Sequence, residues 1–151
     1  MKNKIGLFFC AVTFFAVVAL SFRPSTPVNR EDPWKPDQLL APAELAKVIN
    51  DPQAKQPTII CIGPGALIKG SIDIGPARDS GNLNKLRRQL SQLPKDARVV
   101  IYCGCCPFEH CPNIRPAFSL LNEMKFTHPQ LLNLEHNIKV DWIEKGYPVV
   151  K

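Results

Sequence analysis

Hydrophobic and polar positions change period along the chain, and the changes predict short strands alternating with helices. The apolar runs TIICI (58–62) and RVVIYC (98–103) predict buried strands, and the second is typical of a central parallel strand. In residues 82–93, leucines recur at helical spacing and predict an amphipathic helix. This alternation predicts an α/β domain with a mostly parallel central sheet flanked by helices.

Weaker patterns complete the predicted domain. Glycines between residues 63 and 75 break the chain into turns, and no Gly-Lys-Ser/Thr follows them as a phosphate-binding loop would require. The remaining elements are predicted from short apolar stretches. They are a helix in 41–51, a strand at 71–74, a helix from Ile114 to about Lys125, a strand at 131–134 and a last helix near 140–143 that stops at Gly146.

The first 21 residues have the pattern of an export signal. Lys2 and Lys4 precede an uncharged apolar run from Ile5 to Leu20, which is also long enough to remain as a membrane anchor. We therefore expect an exported protein, periplasmic or extracellular, that is either released or tethered at its amino terminus. The Pro-rich segment 22–36 is predicted to be a tether and residues 37–151 the folded domain.

Charge excludes one class of partner. Without Lys2 and Lys4 the net charge falls from +6 to +4, and the remaining basic residues form no run. Lys85, Arg87 and Arg88 lie on the polar face of the predicted helix 82–93, as expected of a solvated surface. The sequence therefore predicts no nucleic-acid partner, and no motif in it calls for a cofactor.

The cysteines point to a site. Four of the chain's six cysteines lie within the nine residues 103–111, which we call the cysteine loop, directly after the second apolar run. Structural disulfides join distant parts of a chain, whereas these cysteines are crowded together and Cys61 stands alone in the earlier strand. Sites in parallel sheets form at the carboxyl ends of strands, which is where this loop begins.

Three interpretations of the cysteine loop remain open on the residues alone. A reactive thiol is favoured because a helix begins after Cys111 and carries Arg115 on its first turn, and both features stabilise a thiolate. A disulfide between Cys106 and either Cys103 or Cys111 would make the loop rigid. A metal site would use Cys106, Cys111 and His110, but no second ligand pair occurs elsewhere, so none is predicted.

Three segments together resemble a rhodanese-like sulfurtransferase domain over about residues 42–149. GSIDIGPA (70–77), VVIYC (99–103) and DWIEKGYPV (141–149) are similar to the family's glycine-containing segment, its strand ending in the active cysteine, and its closing Trp, Gly and Pro. The resemblance implies a rhodanese-like α/β fold. It also implies that Cys103 accepts sulfur from a donor such as thiosulfate and passes it, as a persulfide, to a thiophilic acceptor.

The same resemblance suggests roles for the loop residues. Arg115 would bind the anionic donor, and the substrate-binding residues would be Gly104, His110 and Asn113. No cofactor is implied, and the partners would be a small sulfur-containing anion or thiol and a protein that exchanges sulfur or electrons.

The sequence also departs from the family pattern. Arg115 stands farther beyond Cys103 than expected, Gly70-Ser71 lacks the usual histidine, and the strand before it reads Ile60-Cys61-Ile62 in place of a charged pair. The longer loop supplies extra thiols, so we expect one of the three downstream loop cysteines to resolve a Cys103 persulfide through an internal disulfide. These candidates are Cys105, Cys106 and Cys111.

An alternative from another class is a non-catalytic or redox-sensing module, in which the cysteine loop forms disulfides or binds a soft metal. Under both interpretations, the catalytic and the non-catalytic one, Phe108 is a docking contact or a side chain folded back on the loop. We predict the second, because a lone apolar residue in a loop need not mark an interface.

Overall fold

A computed structural model of the chain describes residues 31–151, so the predicted export signal and most of the predicted tether lie outside the described residues. Five parallel strands form one sheet in the order β1-β5-β4-β2-β3. The predicted α/β class with a parallel sheet is confirmed. The strands are β1 (Leu39–Leu40), β2 (Thr58–Cys61), β3 (Ile72–Asp73), β4 (Arg98–Tyr102) and β5 (His128–Leu132).

Helices cover both faces of the sheet. One face packs against α2 (Ser80–Ser91) and α3 (Ile114–Glu123), whose leucines and Phe118 form the larger core. The other face packs against α1 (Pro42–Asn50) and a π-helical segment, Lys139–Ile143. Two short 3₁₀ helices, Pro36–Gln38 and Phe108–His110, complete the described elements. Among these helices, none has the length and apolar character needed to cross a bilayer.

The alternation of side chains along β4 decides which side Cys103 faces. Val99, Ile101 and Cys103 belong to the core under α2 and α3, whereas Val100 and Tyr102 belong to the opposite core. Successive side chains of a strand point to opposite faces, so Cys103 continues the first series just past the end of the strand. Its side chain therefore lies on the face where the cysteine loop and α3 pack.

Residues 31–36, which the composition assigns to the tether, pack against the domain. Trp34 is buried and makes edge contacts with Phe108 and Phe118, with ring centroids about 6 Å apart in both pairs. The side-chain amide of Asn122 on α3 donates a hydrogen bond of 2.6 Å to the carbonyl of Pro33. The folded unit thus begins before residue 37, and Phe108 folds back onto the core as predicted.

The closing segment DWIEKGYPV folds around a buried tryptophan. Trp142 is fully buried, and its Nε1 donates a hydrogen bond of 2.9 Å to the carbonyl of Pro148. Gly146 has φ 71°, a left-handed conformation that turns the chain after the π-helical segment, where glycine carries no Cβ penalty. The turn lets Tyr147 pack on the Trp142 ring at 5.2 Å between centroids.

The chain connections place a crevice between β2 and β4. These strands are neighbours, yet β2 continues to β3 on one side while β4 continues through α3 to β5 on the other. Such a reversal opens a crevice at the carboxyl ends of the two strands, where open α/β sheets bind ligands. Cys103 follows β4 directly, so it lies at this crevice.

Candidate active site

Cys103 is held against the backbone that follows β2. A methyl group built on Gly63 would lie 2.8 Å from Sγ of Cys103 and 3.2 Å from its Cα. The close approach of the two strand ends therefore requires glycine at position 63. The sequence marked Gly63 only as a turn residue, because the contact joins segments that are far apart in the chain.

Asn113 orients and polarises the Cys103 sulfur. Its Nδ2 donates a hydrogen bond of 3.2 Å to Sγ of Cys103, and its Oδ1 accepts one of 3.1 Å from the backbone N–H of Arg78. The Arg78 bond fixes the orientation of the amide, so the donor end must face the sulfur. Asn113 is 4 % exposed and is the one buried polar residue of the described chain. It was predicted to bind substrate, and the structure brings it to the reactive atom.

Three cysteines form a compact group that we call the thiol cluster, made of Cys103, Cys105 and Cys111. Their sulfurs lie within 4.8 Å of one another, and Sγ of Cys105 is 3.3 Å from that of Cys103. Cys106 extends the group outward, with its Sγ 3.3 Å from that of Cys105. The five cysteines of the described chain are all free thiols.

Electrostatics favour one thiolate in the cluster, on Cys103. The neighbouring Cys111 thiol lowers the pKa of Cys103 to about 5, with help from Asn113 and Cys105 and against the effect of burial. The pKa of Cys111 is raised first by its hydrogen bond to Cys103 and by burial, and then by the charge on Cys103. Partial loss of solvent around this exposed residue, together with the adjacent Cys106 and Cys103 thiols, raises the pKa of Cys105 to about 12. Cys103 thus carries the single negative charge of the cluster, while Cys105 and Cys111 keep their protons.

Backbone amides at the start of the cysteine loop are available to an anion. In the described chain, the loop's backbone hydrogen bonds are donated by the N–H groups of Phe108, His110 and Cys111. Those of Gly104, Cys105 and Cys106 donate to no backbone carbonyl there, and the Cys105 N–H contributes to the lowered pKa of Cys103. One amide that acts on the sulfur, next to two that donate to no backbone carbonyl, is the arrangement that a persulfide or an oxyanion would need.

The loop is fastened to the chain that follows β5. The carbonyl of Gly104 accepts a hydrogen bond of 3.0 Å from Ile138 N–H, and Phe108 N–H donates one of 3.1 Å to Leu134. A Cβ at position 104 would lie 2.8 Å from the Cβ of Ile138, so glycine is needed there for packing. Gly104 therefore contributes a close backbone approach next to the reactive sulfur.

Two of the predicted site residues lie away from the sulfur. The Arg115 guanidinium pairs with Asp32, donates to the carbonyl of Glu109 at 2.8 Å and stacks over Trp34. His110 is exposed at the end of the 3₁₀ helix and takes no part in the thiol cluster. Arg115 instead ties residues 31–34 to the cysteine loop, a role that no local spacing indicates.

Cys61 is isolated from the cluster although it ends the neighbouring strand. It faces the opposite core, where its thiol donates to the carbonyl of Gly65 at 3.1 Å and burial raises its pKa. Beside it, the Tyr102 hydroxyl accepts hydrogen bonds from Leu67 and Ile68 N–H. The parallel sheet therefore separates Cys61 from the reactive sulfurs.

A small depression opens beside the exposed residue Cys105. Its volume is about 160 Å³, and its lining carries no charged side chain. It is lined by Pro64, Gly65, Leu67, Gly104, Cys105 and Ile138. A larger groove of about 460 Å³ lies at the amino ends of β4 and β5, opposite the strand ends that carry the cysteine loop. Arg98 and His128 are among the residues that line it.

No model of a known protein family and no curated protein matches this chain.

Proposed function

We propose that this protein is a rhodanese-like sulfurtransferase that carries sulfane sulfur as a persulfide on Cys103. The observation that carries the proposal is the polarised sulfur at the strand-end crevice, with the Asn113 amide 3.2 Å from Sγ. A thiolate attacks the outer sulfur of a donor such as thiosulfate, the sulfur–sulfur bond of the donor breaks, and sulfite leaves. Cys103 then holds the transferred sulfur until a thiophilic acceptor removes it.

The surroundings of Cys103 suit both steps of this cycle. Asn113 and the backbone amide of Cys105 stabilise negative charge on the Cys103 sulfur, first as thiolate and then as persulfide. The low pKa of Cys103 provides the nucleophile at neutral pH without a separate general base. Arg115 contributes by holding the loop through Asp32 and Glu109, and recognition of the donor rests on the amides.

The direct test is the intact mass of the reduced protein before and after incubation with thiosulfate. We expect the parent to gain one sulfur atom and a Cys103→Ser variant to gain none. Cys61→Ser is the matched control, because Cys61 lies on the other face of the sheet and serine can keep its hydrogen bond to Gly65. It should load like the parent.

Two results would oppose the proposal. One is a reduced, folded parent that takes up no sulfur from thiosulfate or from an organic persulfide. The other is a Cys103→Ser variant that loads as well as the parent, since the sulfur would then be carried by another cysteine.

A second function, binding of a thiophilic metal ion, is favoured by the same sulfurs. Zinc–thiolate bonds of 2.3 Å in a tetrahedral site place sulfurs about 3.8 Å apart. The three cluster sulfurs already lie within 4.8 Å of one another, and Cys106 could supply a fourth ligand after a side-chain rotation. Metal analysis of protein purified under reducing conditions separates the two functions. One equivalent of metal that is lost in Cys111→Ser and that blocks sulfur loading would favour the metal site.

A further inference from the structure

The two closest sulfurs of the thiol cluster differ sharply in exposure. Cys103 is 2 % exposed, whereas Cys105 is an exposed residue, although their Sγ atoms are only 3.3 Å apart. A small donor or cyanide can reach a nearly buried sulfur, but an organic thiol must bring its carbon chain with it. Cys105 itself lines the depression together with Pro64 and Leu67, and the depression offers space for such a carbon chain.

We propose that Cys105 is an exit thiol, which takes the sulfane sulfur from Cys103 and presents it to a small organic thiol in this depression. The inference rests on the proposed function and specifies its acceptor. The lining contains no charged group and is mostly apolar, so it suits the aliphatic part of a thiol better than an inorganic anion. A volume of about 160 Å³ accommodates a group of a few heavy atoms.

The transfer between the two cysteines is balanced without an added oxidant or reductant. The proton of the Cys105 thiol moves to the outer sulfur of the Cys103 persulfide, and Cys105 Sγ then attacks that outer sulfur. The bond between Cys103 Sγ and the outer sulfur breaks, and its electron pair stays on Cys103 as a thiolate. Cys105 now carries the S–SH group, which the acceptor thiolate attacks in turn, releasing the Cys105 thiolate and an organic persulfide.

Asn113 favours attack on the outer sulfur. Its amide donates to Cys103 Sγ and so stabilises the thiolate that departs in this step, and a stabilised thiolate is the better leaving group. Attack on the inner sulfur, Cys103 Sγ itself, would instead expel sulfide and leave a Cys103–Cys105 disulfide. That is the internal-disulfide route expected from the sequence, and it would stop turnover until a reductant reopened the bond.

The test uses the full chain loaded with thiosulfate, freed of excess donor and discharged with either cyanide or 2-mercaptoethanol. Intact mass follows the loss of the extra sulfur. We expect Cys105→Ser to load one sulfur on Cys103 and to discharge to 2-mercaptoethanol about tenfold more slowly than the parent, with a much smaller change for cyanide. Cys61→Ser should match the parent with both acceptors.

Trapping locates the sulfur independently of rates. Alkylation of the loaded parent followed by peptide fragmentation should find the extra sulfur on Cys105 as well as on Cys103. Thiol discharge of Cys105→Ser at the parental rate would overturn the exit role, and so would conversion of the loaded parent to a disulfide with release of sulfide. A parent that never loads would instead remove the proposed function, and the exit role with it.

Discussion

Asn113 and Cys103 are joined by a hydrogen bond of 3.2 Å from amide Nδ2 to Sγ, and the same amide is locked from behind by the backbone N–H of Arg78. The donor cannot turn away without leaving its own oxygen unpaired in a buried place. Charge-assisted hydrogen bonds of this kind contribute about 1.5–3 kcal/mol. Asn113 therefore connects Arg78, in the loop after β3, with the sulfur of Cys103, the residue after β4.

Replacing Asn113 should raise the pKa of Cys103. From the strength of one such hydrogen bond we expect a rise of about one to two units in Asn113→Ala. Asn113→Asp, nearly the same shape, should raise it further because its carboxylate repels the thiolate. The measurement is the pH dependence of Cys103 alkylation, followed by mass spectrometry of the loop peptide. An unmoved midpoint in both variants would show that Asn113 only fills space.

In the parent, alkylation of Cys103 should reach its plateau at low pH. With the pKa lowered to about 5, the thiolate is lost as pH falls through 5 and is fully formed by neutral pH. The rate should thus be nearly constant from pH 7 to pH 8, whereas an ordinary cysteine of pKa about 8.5 still gains reactivity there. A rate that keeps climbing across this interval would contradict the proposed charge distribution.

Gly63→Ala should displace the Cys103 sulfur. The added methyl would lie 2.8 Å from Sγ and 3.2 Å from the Cys103 backbone, so rotation of the side chain alone does not relieve the contact. We expect sulfur loading to fall at least about tenfold while the protein still folds, since misplaced reacting groups are costly. The matched control is Gly81→Ala on α2, where a methyl meets nothing within 4 Å. Full loading by Gly63→Ala would show that the site tolerates the shift.

Trp34→Ala should destabilise the domain. Removal of a buried tryptophan that packs on Phe108 and Phe118 costs about 3–5 kcal/mol, measured as the free energy of unfolding in denaturant. The adjacent Lys35 is exposed, and Lys35→Ala should stay within about 0.5 kcal/mol of the parent. Equal stability of both variants would mean that residues 31–36 are the tether that their composition indicates.

The sequence predicted what depends on local patterns. The apolar run before Cys103 is long enough to identify a central strand, and the helix after the loop follows from its leucine and phenylalanine spacing. β1 was missed because Leu39–Leu40 is too short to show a period. The strand expected at 131–134 begins earlier, at the exposed His128, because pairing with β4 extends it back through the buried Pro129.

Candidate residues of the site could be named from the sequence of the cysteine loop, whereas contacts between distant segments could not. Residue type and position identified Cys103 and its neighbouring thiols as candidate site residues, and Asn113 was predicted to bind substrate. Its orientation depends on Arg78, 35 positions earlier, and the direction of Arg115 depends on Asp32, 83 positions earlier. Neither pairing produces a periodic pattern in the sequence. Only the folded chain therefore shows that Asn113 faces the Cys103 sulfur, whereas Arg115 holds the cysteine loop.

Cys61 and Cys103 end adjacent strands and yet face opposite sides of the sheet. A layer of hydrogen-bonded backbone therefore separates one buried thiol from the thiol cluster. Cys61 is 1 % exposed and lies on the far side of this layer, so an oxidant that reaches the loop thiols does not reach it while the domain stays folded. Reversible oxidation, to a sulfenate or a disulfide, can thus be confined to the loop, where a reductant reverses it, while the thiol in the core keeps its place in the packing.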